Sequence, residues 1–249
     1  MTWSLFHRHD GVLPTSFHEL RQFGPMLWSA SGKVLTRGRS QVTEFPTVEA
    51  ARAALAERAR ALDAEGYACV RQGQHDPDHV DFPLLTTEIR EGARRAFDAI
   101  RAAHPDQTLH LFALGSDDGS ETLVHAAGDL ALGAPGDLAD ESDIWCSAEW
   151  PHTEGGAFLD IAYRMLLAWH REDLPCGVAF ETLHAGLFEA CIAAMEQLDR
   201  EGFFGTGAIR DEVVLLCQSE GTEDMPGSLE RLNTPQVVAR AARWVALCS

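Results

Sequence analysis

Lysine is almost missing from this 249-residue chain, which has Lys33 and no other. Between Arg101 and Arg164 there is no lysine or arginine at all. With a basic footprint limited to Lys33, Arg37 and Arg39 in the N-terminal portion, tight nucleic-acid binding, which draws on many phosphate contacts, is not the leading expectation. Nor is there a C-x-x-C pair. The six cysteines (Cys69, Cys146, Cys176, Cys191, Cys217, Cys248) are scattered, which fits neither a disulfide framework nor a zinc site of familiar spacing. Runs such as "VVLLC" and "ACIAAM" predict buried, reduced thiols acting as small hydrophobes. No window approaches the roughly 18 apolar residues needed to cross a bilayer, and "MTWSLFHRHDG" lacks a basic-then-apolar leader. A cytoplasmic protein with no membrane partner is therefore expected. A lysine-bearing phosphate loop, G-x-S-x-G and a dinucleotide fingerprint are all missing, so no cofactor is expected.

What is abundant is negative charge. The formal net charge is −18. Residues 1–70 hold eight basic and seven acidic residues, so 71–249 hold 12 and 31, a net of −19. The cation-free interval contains Asp106, Asp117, Asp118, Glu121, Asp129, Asp137, Asp140, Glu141, Asp143, Glu149, Glu154 and Asp160. A concentrated single-sign field repels nucleic acid and favours a basic protein partner.

Hydrophobic periodicity gives the organisation. "FHELRQFG", "PMLWSASG" and "KVLTRGRSQVTEF" are short, partly alternating and bounded by Gly or Ser, as strands of a small antiparallel sheet. In "PTVEAARAALAERARALDAEGYACV", Thr47 is placed to cap a helix, Glu49 sits in its first turn, and Gly66 can stop it. "RQGQHDPDHVDFP" reads as a linker. A second amphipathic helix follows, with Ile89, Ala93, Ala96, Phe97 and Ile100 as its stripe and Pro105 at its exit. "TLHLFALGSDDGSETLVHAAG" reads as a hairpin, "EVVLLC" as a buried strand, and "AFLDIAYRMLLAWH" and "FETLHAGLFEACIAAMEQLDREG" as helices, the latter stopped at Gly202. A last helix opens with Thr234 as cap and Pro235 in the first turn. The class is α+β: a small antiparallel sheet plus helix over 1–72, a linker at 73–83, and a larger mixed α/β domain over 84–249.

The segments "RRAFDAIRAAHPDQTLHLFALGSDDG", "SAEWPHTEG", "LDREGFFG", "EVVLLC" and "LNTPQVV" occur in order, and they make residues from about Leu84 to Val245 resemble the bacterial family domain of unknown function 4303. "GKVLTRGRSQVTEFPTVEAARAALAERARALDAEGY" resembles the sheet-then-helix pattern of a diverged WGR domain. There the family's Trp-Gly-Arg is Arg37-Gly38-Arg39, so only Gly38 and Arg39 carry over. WGR domains contact nucleic acid through this surface, which makes Lys33, Arg37 and Arg39 its candidate residues here. Resemblance to the first family implies a place beside polymorphic toxins.

Three places in the sequence carry candidate chemistry. Cys146, Glu149 and His152 are spaced by three, but the acids around Cys146 would hold its proton, and His152 after Pro151 reads as a solvated loop residue. His75, Asp76, Asp78, His79 and Asp81 lie within seven positions, yet Pro77 breaks the helix that a His pair at i,i+4 would need, so no metal site is expected. Trp145 and Trp150 could anchor a core corner or an aromatic centre with an acidic rim. The resulting expectation is a non-catalytic, immunity-type protein that neutralises a basic antibacterial toxin, a nuclease or nucleotide-modifying effector. Its expected contacts are Asp117, Asp118, Asp137, Asp140, Glu141, Asp143, Trp145 and Glu149. The alternative is a nucleic-acid-linked accessory protein that uses the WGR-like module to contact DNA.

Overall fold

The computed structural model describes residues 1–128, 147, 150–219 and 225–239. It divides into two units: residues 1–80 with 163–179, and 81–162 with the chain from 180 onward. Each is α+β.

Unit 1 is a five-stranded antiparallel sheet in the order β4-β3-β2-β1-β5. The strands are β1 (Thr2–Asp10), β2 (Leu13–Phe23), β3 (Met26–Lys33), β4 (Arg39–Glu44) and β5 (Ala68–Gln74). Alternation along β2 sends Leu20 to one face and Phe17, Glu19 and Arg21 to the other. The Leu20 face is covered by α1 (Val48–Ala64), building a core of Phe6, Leu20, Leu27, Leu55 and Leu62. The helix starts where its cap predicts, since Thr47 Oγ1 accepts from Ala50 N at 3.1 Å. Just past its end Gly66 is left-handed, with φ 87°.

The other face is covered by residues 163–179, part of which the sequence reads as a helix of the acidic domain. The Arg164 guanidinium lies 3.6 Å above the Phe17 ring and donates to Thr36 O. Arg171 lies over Trp28 at 4.7 Å and grips Asp173 Oδ1 at 2.9 Å. Burial alone would raise the Asp173 carboxyl, but donors from Arg171, Ser40 and Trp28 outweigh it and hold it well below the usual range. Gly38 completes this layer. Its φ is 67°, and a Cβ there would stand 2.6 Å from Phe17 Cζ and 2.7 Å from Ser31 O. The loop therefore needs glycine here for packing as well as for backbone angle.

The sequence reading did not include β1 and β5. The 73–83 segment read as linker holds the end of β5, a bridge between Asp76 and His79, and the start of the next helix. His75 opens a pH-dependent weakness here. Its ring packs 4.8 Å from Trp169, and burial, then Arg21, then the terminal ammonium lower its pKa to about 3. The unfolded value is about 6.5, so between these limits the unfolded chain binds a proton that the folded one refuses. Stability therefore rises with pH across that window and is flat above it. Acidification from pH 6.5 to 4 is expected to cost about 2 kcal/mol, after allowing for the ring's partial exposure. In His75→Gln the slope of denaturation midpoint against pH should shrink accordingly.

Unit 2 is built on a three-stranded sheet in the order β7-β6-β8. The hairpin of β6 (Leu111–Ser116) and β7 (Val124–Gly128) is antiparallel as predicted, and β8 (Val214–Ser219) joins β6 in parallel. Among the described residues it carries α2 (Phe82–Ala103), α4 (Phe180–Arg200) and α5 (Met225–Leu232), and α3 (Asp160–Leu167) begins in it and runs into unit 1. Phe112 meets Phe97 of α2 on one face at 5.1 Å. Leu111, Ala113, Val214 and Leu216 pack with Trp150, Leu229 and Val237 on the other. Val238 N donates to Thr234 O, so a helical turn begins at the predicted place. The Thr234 hydroxyl, expected as its cap, has no partner among the described residues. No described helix is long and apolar enough to cross a membrane.

Candidate functional site

The most concentrated set of donor groups gathers where α2 ends. His104 closes that helix, its N–H bonded to Ile100 O. The segment following Trp150 adds to the edge of β7 through paired bonds between Ala127 and His152, at 2.9 and 3.2 Å. This pairing carries His152 and Glu154 to the end of α2. Gly155 then takes φ 81°, and a Cβ there would lie 3.0 Å from Ala96 Cα, so the turn seats directly on the α2 backbone.

In the resulting cluster the His104 and His152 rings are 4.0 Å apart, and His104 Nε2 donates to Glu154 Oε1 at 2.9 Å. One nitrogen of each ring and a Glu154 oxygen lie within 4.8 Å of one another. The bond from His104 is the main reason that the exposed Glu154 carboxyl is lowered in pKa. His125 of β7 bonds Glu154 O through Nε2 at 2.7 Å, and burial lowers its pKa, keeping it neutral. His152 is only 7 % exposed, so it is not the solvated loop residue that the sequence suggested. Pairing with β7 and the covering end of α2 account for the change. Proximity in sequence showed only His152 and Glu154. His104 arrives from 48 positions away, and its position at a helix exit before Pro105 was the available signal.

The acidic candidates divide by what the structure describes. Asp117 is half-buried and spends Oδ1 on the backbone N–H groups of Glu121 and Thr122, organising the β6–β7 turn. Asp118 beside it is exposed. Asp137, Asp140, Glu141, Asp143, Trp145 and Glu149 lie outside the described residues, as does Cys146. Trp150 is 4 % exposed within the core. Asp160, also counted in the acidic interval, is fully buried.

Cysteine reactivity finds little support in the described interior. Burial pushes the Cys191 thiol up to about 12 and also raises Cys217 well above the usual thiol range, so neither supplies a thiolate near neutrality. Cys69 and Cys176 are free and exposed, contrary to the expectation of burial, because one lies on edge strand β5 and the other on the exposed stretch after Leu174. The 75–81 cluster is consumed by backbone: Asp76 Oδ1 accepts from Asp78 N, and Asp81 Oδ1 caps α2 through Leu84 N. In unit 1, a groove of about 400 Å³ is lined by His18, Ser29, Ser31, Arg39, Gln41 and Arg58, among others. Arg39 and Arg58 both line this groove, while Lys33 and Arg37 are exposed outside its lining.

Among curated proteins none matches this chain. A solved structure of a protein from Bacteroides fragilis is similar over 28 % of this chain and 19 % of its own, at 22 % identity and a TM-score of 0.26. The family profile described as domain of unknown function (DUF4303) matches residues 89–234. That span takes in α2 from Ile89 on, the hairpin, the His104–His152–Glu154 cluster, α4, β8 and α5. The chain belongs to the DUF4303 family.

Proposed function

We propose that this chain is a non-catalytic, immunity-type binding protein that neutralises a basic antibacterial toxin, such as a nuclease or nucleotide-modifying effector, by protein–protein contact through the acidic residues of unit 2. The observation that carries this reading is how charge divides between the units. Unit 1 has eleven basic and eleven acidic residues, whereas unit 2 has nine and 27, and so carries the whole −18.

Four of the described arginines of unit 2 are also paired internally. Arg90 and Arg94 hold Glu201, Arg210 holds Asp199, and Arg231 holds Glu189 and Glu196. Internal pairing leaves the remaining carboxylates to set the field outside. Such a field speeds encounter with a cationic partner and suppresses binding of nucleic acid. Contact is assigned to Asp118, Asp137, Asp140, Glu141, Asp143, Trp145 and Glu149, with Asp117 holding the turn that presents Asp118.

The test is co-expression with any toxin gene found adjacent to this one. Protection is expected, and replacing Asp118, Asp137, Asp140, Glu141 and Asp143 by Asn or Gln should slow association at least about tenfold at low salt. A neighbouring toxin that kills equally with and without the chain refutes the reading.

A second reading is favoured by the groove in unit 1. There a WGR-like module would contact DNA through Arg39, with Arg58 and His18 beside it and with Lys33 and Arg37 at its margin. A gel shift at low salt that disappears in the Arg39→Ala/Arg58→Ala double variant supports it; no shift in the wild type rejects it.

A further inference from the structure

We infer that His104, His152 and Glu154 form a binding site for one divalent cation of the zinc class, a property separate from the proposed partner binding. Two independent observations meet here. The first is the donor set itself, two imidazoles and one carboxylate whose donor atoms lie within 4.8 Å of one another. The second is His152 Nε2, which is buried and has no hydrogen-bond partner among the described residues, on a side chain more than nine-tenths buried. A buried ring nitrogen without a partner is a costly arrangement and asks for a ligand.

The geometry is close to what zinc requires. Bonds of about 2.0–2.2 Å in a tetrahedron separate neighbouring donor atoms by about 3.4 Å. Closing the set therefore means opening the 2.9 Å bond between His104 and Glu154 slightly and drawing the widest pair, at most 4.8 Å apart, together by up to about 1.4 Å. Glu154 is exposed and His104 sits at a helix end, so both can turn, while His152 is held by its pairing to Ala127. On binding, the His104 proton that now bonds Glu154 would move from Nε2 to Nδ1, so that the neutral ring offers Nε2 to the metal through its other tautomer.

Support from outside the donor set is already in place. His125 fixes the Glu154 carbonyl, and Gly155 seats the turn on α2, which limits how far the carboxylate can wander. Two imidazoles select zinc, cobalt or nickel over magnesium and calcium, which prefer oxygen ligands throughout. Three protein ligands leave a fourth position for water. Bound metal would then tie the end of α2 to the β7 edge.

The experiment uses the full chain stripped with a chelator and titrated with zinc(II) by calorimetry and with cobalt(II) by visible absorption. One equivalent is expected, with cobalt bands of a four-coordinate site. Glu154→Gln and His104→Ala, both at accessible side chains, should each weaken zinc binding at least about tenfold while leaving the far-ultraviolet dichroism unchanged. His152→Gln should also lose binding. Absence of saturable zinc binding in the wild type overturns the site. So does an affinity unchanged in both Glu154→Gln and His104→Ala, which would assign binding to other imidazoles such as His7 and His9.

Discussion

Exchanging Glu19 for alanine is expected to destabilise the chain by about 3–5 kcal/mol, because it leaves a fully buried guanidinium without its counter-charge. Arg21 and Glu19 have side-chain exposures of 0 % and 3 % and are joined at 2.6 Å. Both lie on the same face of β2, beneath the 163–179 layer. Burial lowers the Arg21 pKa and Glu19 only partly offsets it, so the pair is already poorly solvated. Other neighbours help little: the Trp3 ring at 5.0 Å and a long bond of 3.4 Å to Arg164 O. Chemical denaturation followed by tryptophan fluorescence measures the effect, since Trp3 and Trp28 flank the site in paired strands. The double variant Glu19→Leu/Arg21→Met should recover most of the loss, as an apolar replacement avoids the desolvation of both charges. A single-variant cost below about 1 kcal/mol would show that water reaches Arg21.

Truncating Phe97 to alanine should cost a similar 3–5 kcal/mol in unit 2. The ring is completely buried and meets Phe112 at 5.1 Å, Phe204 and His125 at 6.0 Å and Phe203 at 6.5 Å. Removing it opens a cavity among aromatic groups that rotate little to fill space. Phe97→Leu keeps most of the volume and should cost less than about 1.5 kcal/mol. Equal losses for both would mean that ring–ring geometry, not volume, sets the stability of this core.

Much of the architecture was legible where the signal is local. The Thr47 cap, the Gly66 and Gly202 stops, the α2 stripe from Ile89 to Ile100 and the β6–β7 hairpin all depend on residues within a few positions of one another. Strands β1 and β5 were not legible, because their identity comes from pairing across about 70 residues, as in Thr2 opposite Gln74. Nor was the covering role of Tyr163–Ala179, whose apolar run serves a sheet rather than the domain around it. Charge segregation was readable from composition alone. His104, His152 and Glu154 were not, since two come from one edge segment and the third from a helix end that only the folded sheet brings near.

The return segment has a consequence for synthesis. A ribosome releases all five strands of unit 1 and α1 long before Tyr163, so Phe17 and Trp28 first emerge without the layer that later covers them. Roughly ninety further residues must be translated before that apolar sheet face is covered. During this interval the nascent chain presents a sticky surface to which a chaperone would bind, and any shortened version ending ahead of position 163 should aggregate rather than behave as an independent module.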